Sequence, residues 1–179
     1  MLYNKTKNIK QQSFFDTYSI HFAEETMFKQ LLILILILVT VNVQAKELKI
    51  IDGDSFLLNG KEIRLEGIDA PEYQQQCYDV DDKPYDCGVL AYKALRRMIK
   101  NSVKCKHIKT DRYKRIVAVC YVGDECLNEK MVKDGWAVAY TYYTNDYIDA
   151  EKSAKSAKKG IWQGRFMRPD LFRALHRED

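Results

Sequence analysis

Three carboxylates and two guanidinium groups are the side chains of this sequence best suited to chemistry. Asp54 follows a turn-like Asp52-Gly53, Asp69 and Glu72 bracket Ala70-Pro71, Arg64 precedes them, and Arg115 stands much later in the chain. Hard divalent cations such as Ca²⁺ take oxygen ligands. Two carboxylates from separate loops, a backbone carbonyl and water make a sufficient set. Guanidinium groups fork onto phosphate oxygens and keep their charge at any working pH. A third carboxylate can orient or deprotonate water. Together these are the parts that phosphodiester hydrolysis requires. Taken singly, each has an ordinary explanation: aspartates at turns, Asp-Ala-Pro-Glu as a helix start, arginines on a surface.

Elements must carry these groups to one place. Residues 47–58 have strand character, broken at Asp52-Gly53-Asp54 by a turn or bulge. Asn59-Gly60 signals a hairpin, and residues 61–65 alternate as a half-buried strand does, which puts Arg64 on a strand. Over residues 89–99, Leu90, Ala91, Ala94, Leu95 and Met98 recur at helical spacing. Two more strands are expected near 103–108 and 116–122, joined by 109–115. A short helix over 128–133 stops at Gly135, and another over 147–159 stops at Gly160. Strands first, helices interleaved and no βαβ alternation predict an α+β domain, a small antiparallel barrel with helices packed outside. The basic tail from Gln163 carries a Leu171-Phe172-Leu175 face expected to pack on the body.

At 179 residues the chain fits one domain plus extensions. With 46% hydrophobic residues and only 8 Gly and 3 Pro, it is not collagen-like, low-complexity or wholly disordered. The formal charge of +4 matters less than its placement. Between Lys93 and Arg115, ten Lys or Arg residues meet one acid, Asp111. Such a block is either a solvated surface or a face that attracts polyanions. From Glu72 to Asp86 five acids face Lys83 alone, without the Gly and terminal Glu spacing of an EF-hand.

The first 45 residues read as an address. Met27-Phe28-Lys29 precedes an apolar run over 31–39, and Val43-Gln44-Ala45 offers small exit residues. This is a signal-peptide pattern, too short for a membrane span. It predicts a start at Met27, cleavage near Ala45 and a secreted or periplasmic mature chain from Lys46. An uncleaved membrane anchor is the alternative. All five cysteines (Cys77, Cys87, Cys105, Cys120, Cys126) follow that point, so disulfides are the expected reading. Zinc competes, but no CxxC pair is present. Cys77 and Cys87 would close the acidic loop, Cys105 and Cys120 would pair across adjacent strands, and Cys126 is left over.

The motifs Ile51-Asp52-Gly53-Asp54-Ser55, Ile63-Arg64-Leu65-Glu66-Gly67-Ile68-Asp69-Ala70-Pro71-Glu72, Thr110-Asp111-Arg112-Tyr113-Lys114-Arg115, Met131-Val132-Lys133-Asp134-Gly135-Trp136 and Lys159-Gly160-Ile161-Trp162 follow one another in order. In this the sequence resembles the staphylococcal nuclease (thermonuclease) family, over nearly all of residues 46–162. The resemblance implies a five-stranded OB-fold barrel with about three packed helices, and an exported Ca²⁺-dependent endonuclease. It would cut DNA and RNA with low sequence specificity and leave 3′-phosphate ends. It implies Asp54, Asp69 and the Ala70 carbonyl as calcium ligands, Arg64 and Arg115 as phosphate clamps, and Glu72 as the base or water-positioning group. Tyr113, Tyr140, Tyr142 and Lys114 would contact substrate, favouring single strands or frayed duplex. A monomer with no stable protein partner is expected. The rival reading is the same barrel as a non-catalytic module binding nucleic acid or protein. Two departures stand out: Lys114 replaces a glycine that commonly precedes the second arginine, and the Cys77–Cys87 insertion is absent from the type enzyme.

Overall fold

The computed structural model describes residues 27–34, 47–99 and 102–176. The expected leader over 1–26 and the cleavage point near Ala45 lie outside the described residues, as does most of the apolar run. Residues 27–34 form a helix, α1, whose side chains are exposed. Among the described residues no helix is long and apolar enough to cross a membrane. Residues 1–45 and 46–179 are separate units, and the site lies in the second.

That second unit opens with a hairpin. β1 (Leu48–Ile50) pairs antiparallel with β2 (Ser55–Leu58), so Asp52-Gly53-Asp54 forms the connection. The Asn59-Gly60 turn carries φ of 52° and 73°, the double left-handed pair that a two-residue hairpin loop demands. It leads into β3 (Lys61–Leu65). The short strand β4 (Ile68–Asp69) follows, then the β5 (Cys77–Tyr78) and β6 (Pro84–Tyr85) ribbon. Helix α2 (Cys87–Met98) buries Ala91, Ala94 and Leu95 as its spacing predicts. β7 (Lys104–Thr110) and β8 (Ile116–Val122) pair antiparallel, and β8 runs parallel to β3. The sheet order is β1-β2-β3-β8-β7, with β9 (Glu125–Cys126) folded back on β8.

The remaining elements cover this sheet. Helix α3 (Leu127–Lys133) starts one residue before its expected span and ends with it, helix α4 (Ile148–Ser156) is shorter than expected, and β10 (Val138–Ala139) lies between them. Gly160 does not simply stop α4; it opens a 3₁₀ turn over Gly160–Gln163. A final helix, α5 (Pro169–Leu175), adds to the expected three. This is an α+β domain of OB type. Phe56, Ile63, Leu65, Ile68, Leu95, Leu127, Met131 and Val132 fill its main core. Burying each such side chain is worth about 1.5–3 kcal/mol.

Two disulfides close as the cysteine spacing suggests, Cys77–Cys87 and Cys105–Cys120, and Cys126 is a free thiol. Cys77 and Cys87 join Val138 and Ile161 in a second small core. The tail differs from expectation. Leu171 and Leu175 are exposed, and α5 instead turns Pro169 inward, with Phe172 and Arg173 half-buried. A polar contact from Arg173 takes the place of the apolar one.

Candidate active site

The parallel pairing of β3 with β8 sets Ile63 against Ile116 and Arg64 against Val117. Strand side chains alternate faces. Ile63 and Leu65 therefore enter the core, while Glu62, Arg64, Arg115 and Val117 share the opposite face. There they line an open cleft of about 700 Å³ that also takes in Glu72, Lys109, Asp111, Tyr113, Tyr140, Tyr143 and Arg173. The buried side chain of Asn128 pins the two strands together. Its amide donates to the carbonyls of Glu66 (2.8 Å) and Ala118 (3.2 Å) and accepts from the Cys120 N–H (3.0 Å).

Asp54 is held just before β2. Its N–H donates to Asp52 Oδ1 (2.9 Å), and its carbonyl accepts from the Leu65 N–H (2.8 Å). Its side chain, 1% exposed, accepts from the Ala70 N–H (2.7 Å) and from Ser55 Oγ (3.2 Å). Arg64 forks between the two aspartates, donating from Nη1 to Asp54 and from Nη2 to Asp69 Oδ1 (2.7 Å). Burial pushes the Asp54 carboxyl well above the usual carboxylate range, with Arg64 opposing. Burial alone would lower Arg64, but Asp54 and Asp69 outweigh it and keep the guanidinium charged.

Glu72 is fixed through its backbone. Its N–H donates to Gln75 Oε1 (3.3 Å), and its carbonyl accepts from the Gln75 N–H (2.8 Å). Gln75 is fully buried, and its amide also donates to the Met167 carbonyl (2.7 Å), tying this loop to the tail. Gly88, on the first turn of α2, touches the Glu72 carbonyl so closely that a Cβ there would overlap it.

The tail supplies a cation that sequence reasoning missed. Arg173 Nη1 donates to Asp69 Oδ1 (2.9 Å) and Glu72 Oε1 (2.8 Å), and Nη2 donates to Asp69 Oδ2 (3.0 Å). Burial would lower its pKa, but these carboxylates hold it above the ordinary arginine value. Its only sequence signal is a basic residue in a basic tail, 104 positions from Asp69.

Arg115 sits across the cleft. Its Nε donates to Asp111 Oδ2 (2.8 Å), and its Nη1 lies 3.9 Å from Glu62. Asp111 Oδ1 also accepts the N–H groups of Tyr113 and Arg115, each at 2.9 Å, so one carboxylate shapes the whole turn. Burial tends to raise Asp111, but the Arg115 hydrogen bonds prevail and hold it below its usual value. Lys114 adopts φ 67°, so the turn keeps a left-handed residue at the position where the family commonly has glycine. Lys114 does not line the cleft, whereas Tyr113 does. Of the other tyrosines, Tyr140 and Tyr143 line the cleft. Tyr142 is 82% exposed outside it, edge-on to Tyr143 at 5.1 Å. Lys109 Nζ stands 3.8 Å from the Tyr143 ring centre.

Asp54 and Asp69 offer hard oxygen donors close enough for one guanidinium to span both. That donor chemistry suits a hard divalent cation. Among the described residues no group of three or more His, Cys, Asp or Glu is gathered to hold a metal ion. A cation here would therefore also draw on the Ala70 carbonyl and on water.

Residues 62–164 match the family model described as staphylococcal nuclease homologue. The chain is 34% identical over 129 residues to a thermonuclease of Staphylococcus hyicus, covering 65% of this chain and 74% of that protein. It is 33% identical over 121 residues to the succinoglycan biosynthesis protein ExoI of Rhizobium meliloti, covering 65% and 63%. An uncharacterized endonuclease of Haemophilus influenzae is 33% identical over 123 residues, covering 64% of each. The chain thus spans less than two thirds of the length of the last two relatives. The matched segment contains Arg64, Asp69, Glu72 and Arg115, ends before Arg173, and fills more than half of the sequence: the chain belongs to the staphylococcal nuclease family.

Proposed function

We propose that this protein is an exported, Ca²⁺-dependent endonuclease that hydrolyses DNA and RNA with little sequence preference and leaves 3′-phosphate ends. The observation that carries it is one cleft in which Arg64, Arg115 and Glu72 meet, with Asp54 and Asp69 buried behind Arg64. Relatives named thermonuclease and endonuclease support the same reaction. The two disulfides support export into an oxidising compartment.

Asp54, Asp69 and the Ala70 carbonyl would hold the cation, which when bound polarises the scissile phosphate. Arg115, kept in place by Asp111, reaches a phosphate oxygen across the cleft. Arg64 leaves its fork between the aspartates to take another, and the pair neutralises charge growing in the transition state. Glu72 holds the attacking water by its carboxylate. Contacts to phosphate and sugar carry little base information, hence the weak sequence preference. Tyr113, Tyr140 and Tyr143 offer ring faces for unstacked bases, which favours single strands or frayed ends.

Release of acid-soluble nucleotides from denatured DNA and from RNA tests the reading. Excess EGTA should abolish release and added Ca²⁺ restore it. Arg64→Ala and Arg115→Ala should each lose about 10²-fold or more in turnover. Cutting that persists in chelator would remove calcium from the account, and near-normal turnover by both variants would remove the clamps.

A further inference from the structure

Strand β7 carries Lys104, Lys106 and Lys109, whose sequence spacing would place Lys109 on the opposite face from the other two. The register with β8 says otherwise. Lys104 faces Tyr121, Lys106 faces Val119 and, after a bulge between His107 and Lys109, Lys109 faces Val117. Those partners alternate by two, so all three lysines share one face. It is the face of Val117, Arg64 and Arg115, because Val117 also pairs with Arg64 on the other side. Cys105 and His107, opposite the buried Cys120 and Ala118, point to the other face. Were Ile108 paired in regular register instead of absorbed by the bulge, Lys109 would turn to the other face and the row would break before reaching the cleft.

Lys109 lines the cleft, and Lys104 and Lys106 continue away from it, both exposed. Neither has an acidic partner among the described residues. The row covers four residue steps of β8, roughly 14 Å, with neighbouring lysines about 6.8 Å apart. That is on the order of the spacing between successive phosphates of an extended single strand. Tyr121, opposite Lys104, is 37% exposed and adds an aromatic surface at the far end.

We infer that this row is a binding track outside the catalytic cleft, taking the next two phosphates of a single-stranded nucleic acid whose scissile phosphate lies between Arg64 and Arg115. The inference rests on the nuclease reading and extends it to a substrate length. A strand passing Lys109 meets Lys106 and then Lys104 at phosphate intervals, with Tyr121 available to a base. Unpaired cations in register with a polyanion bind by releasing counterions, so their contribution is read in the salt dependence.

The test is binding of a fluorescent 12-nucleotide oligo(dT) to the full chain in EGTA, by anisotropy, from 50 to 200 mM salt. The double variant Lys104→Gln/Lys106→Gln should flatten the slope of log K against log salt by about 1.4, roughly 0.7 for each phosphate that is no longer neutralised. Between those salt concentrations the wild type then loses about sevenfold more affinity than the variant. The charge-matched control is Lys93→Gln/Arg97→Gln, at exposed positions of α2. It should flatten the slope by less than half as much. Equal flattening by both pairs reduces the effect to net charge and overturns the track. So does an unchanged slope in the β7 variant, or loss by that variant of binding to phosphatidylserine vesicles alone. If the wild type itself binds no oligonucleotide, the nuclease reading falls and takes the track with it. Wild-type binding with an unaltered variant removes the track only.

Discussion

Asp111 has no assigned contact with substrate, yet its removal should slow the reaction through Arg115. The Asp111–Arg115 bond is charge-assisted at 2.8 Å, between side chains that are 18% and 27% exposed. A buried bond of this kind is worth about 1.5–3 kcal/mol, and partial exposure brings it towards ~1 kcal/mol. If that energy orients the guanidinium for the transition state, its loss lowers kcat about fivefold. Asp111→Asn keeps an oxygen for the Tyr113 and Arg115 N–H groups and removes the charge, so it isolates this effect from collapse of the turn. Arg115→Ala should cost about 10²–10³-fold. With Arg115 already absent, the further change Asp111→Asn should cost less than about twofold, because its target is gone. The assay is the initial rate of acid-soluble nucleotide release at saturating Ca²⁺, with kcat and KM separated. Full additivity of the two losses would refute the idea that Asp111 works by positioning Arg115.

Other perturbations probe the same cleft from different sides. Gly88→Ala should displace the Glu72 backbone and lower kcat about tenfold or more, with the melting temperature measured beside it; wild-type turnover would show that the placement of Glu72 does not matter. Arg173→Gln frees Asp69 and Glu72 of a competing cation, so Ca²⁺ should bind about fivefold tighter by calorimetry, roughly the worth of one partly exposed ion pair; weaker binding would show that Arg173 helps build the site. The Asp111 carboxyl lies below its usual value of 3.8, so its charge stabilises the fold above that pH and stops doing so as pH falls through the lowered native value. The melting-temperature gap between wild type and Asp111→Asn should therefore hold at neutral pH and narrow as pH falls below 3.8; a gap that does not narrow there would discount the charge.

Local signals carried most of the fold and half of the site. The Asn59-Gly60 turn, the alternation of residues 61–65 and the apolar spacing of α2 each encode their structure within a few residues. Asp54, Arg64, Asp69, Glu72 and Arg115 stand in recognisable motifs, and the structure brings Arg64, Asp69 and Asp54 into direct contact. Gln75 and Asn128 act through bonds to backbone groups far along the chain, and nothing in their neighbours marks them. Arg173 depends on how α5 is turned. The apolar spacing of Leu171, Phe172 and Leu175 argues for a hydrophobic face, yet α5 half-buries only Phe172 of the three and turns Arg173 towards the two carboxylates. The ring lining the cleft beside Tyr140 is Tyr143, and Tyr142 packs on both from outside the cleft.

The register of β3 against β8 is the step on which the site's chemistry turns. A shift of one residue between strands sends every side chain to the other face. Here such a slip would drive either Arg64 or the row containing Val117 into the core, while Ile63 or Ala118 moved into water. The apolar cost of exposing Ile63 and Leu65 alone is about 3–6 kcal/mol, comparable to the whole stability of a small domain. Core packing therefore holds the two arginines on one face, although they contribute nothing to that core. Asn128 adds a directional lock, since its three hydrogen bonds to Glu66, Ala118 and Cys120 fit only one alignment. The bulge in β7 then carries the same face one strand further, to Lys109, Lys106 and Lys104. A single alternation pattern, fixed by hydrophobic burial and a buried amide, thus puts Arg64, Arg115, Lys109, Lys106 and Lys104 on one face of the sheet.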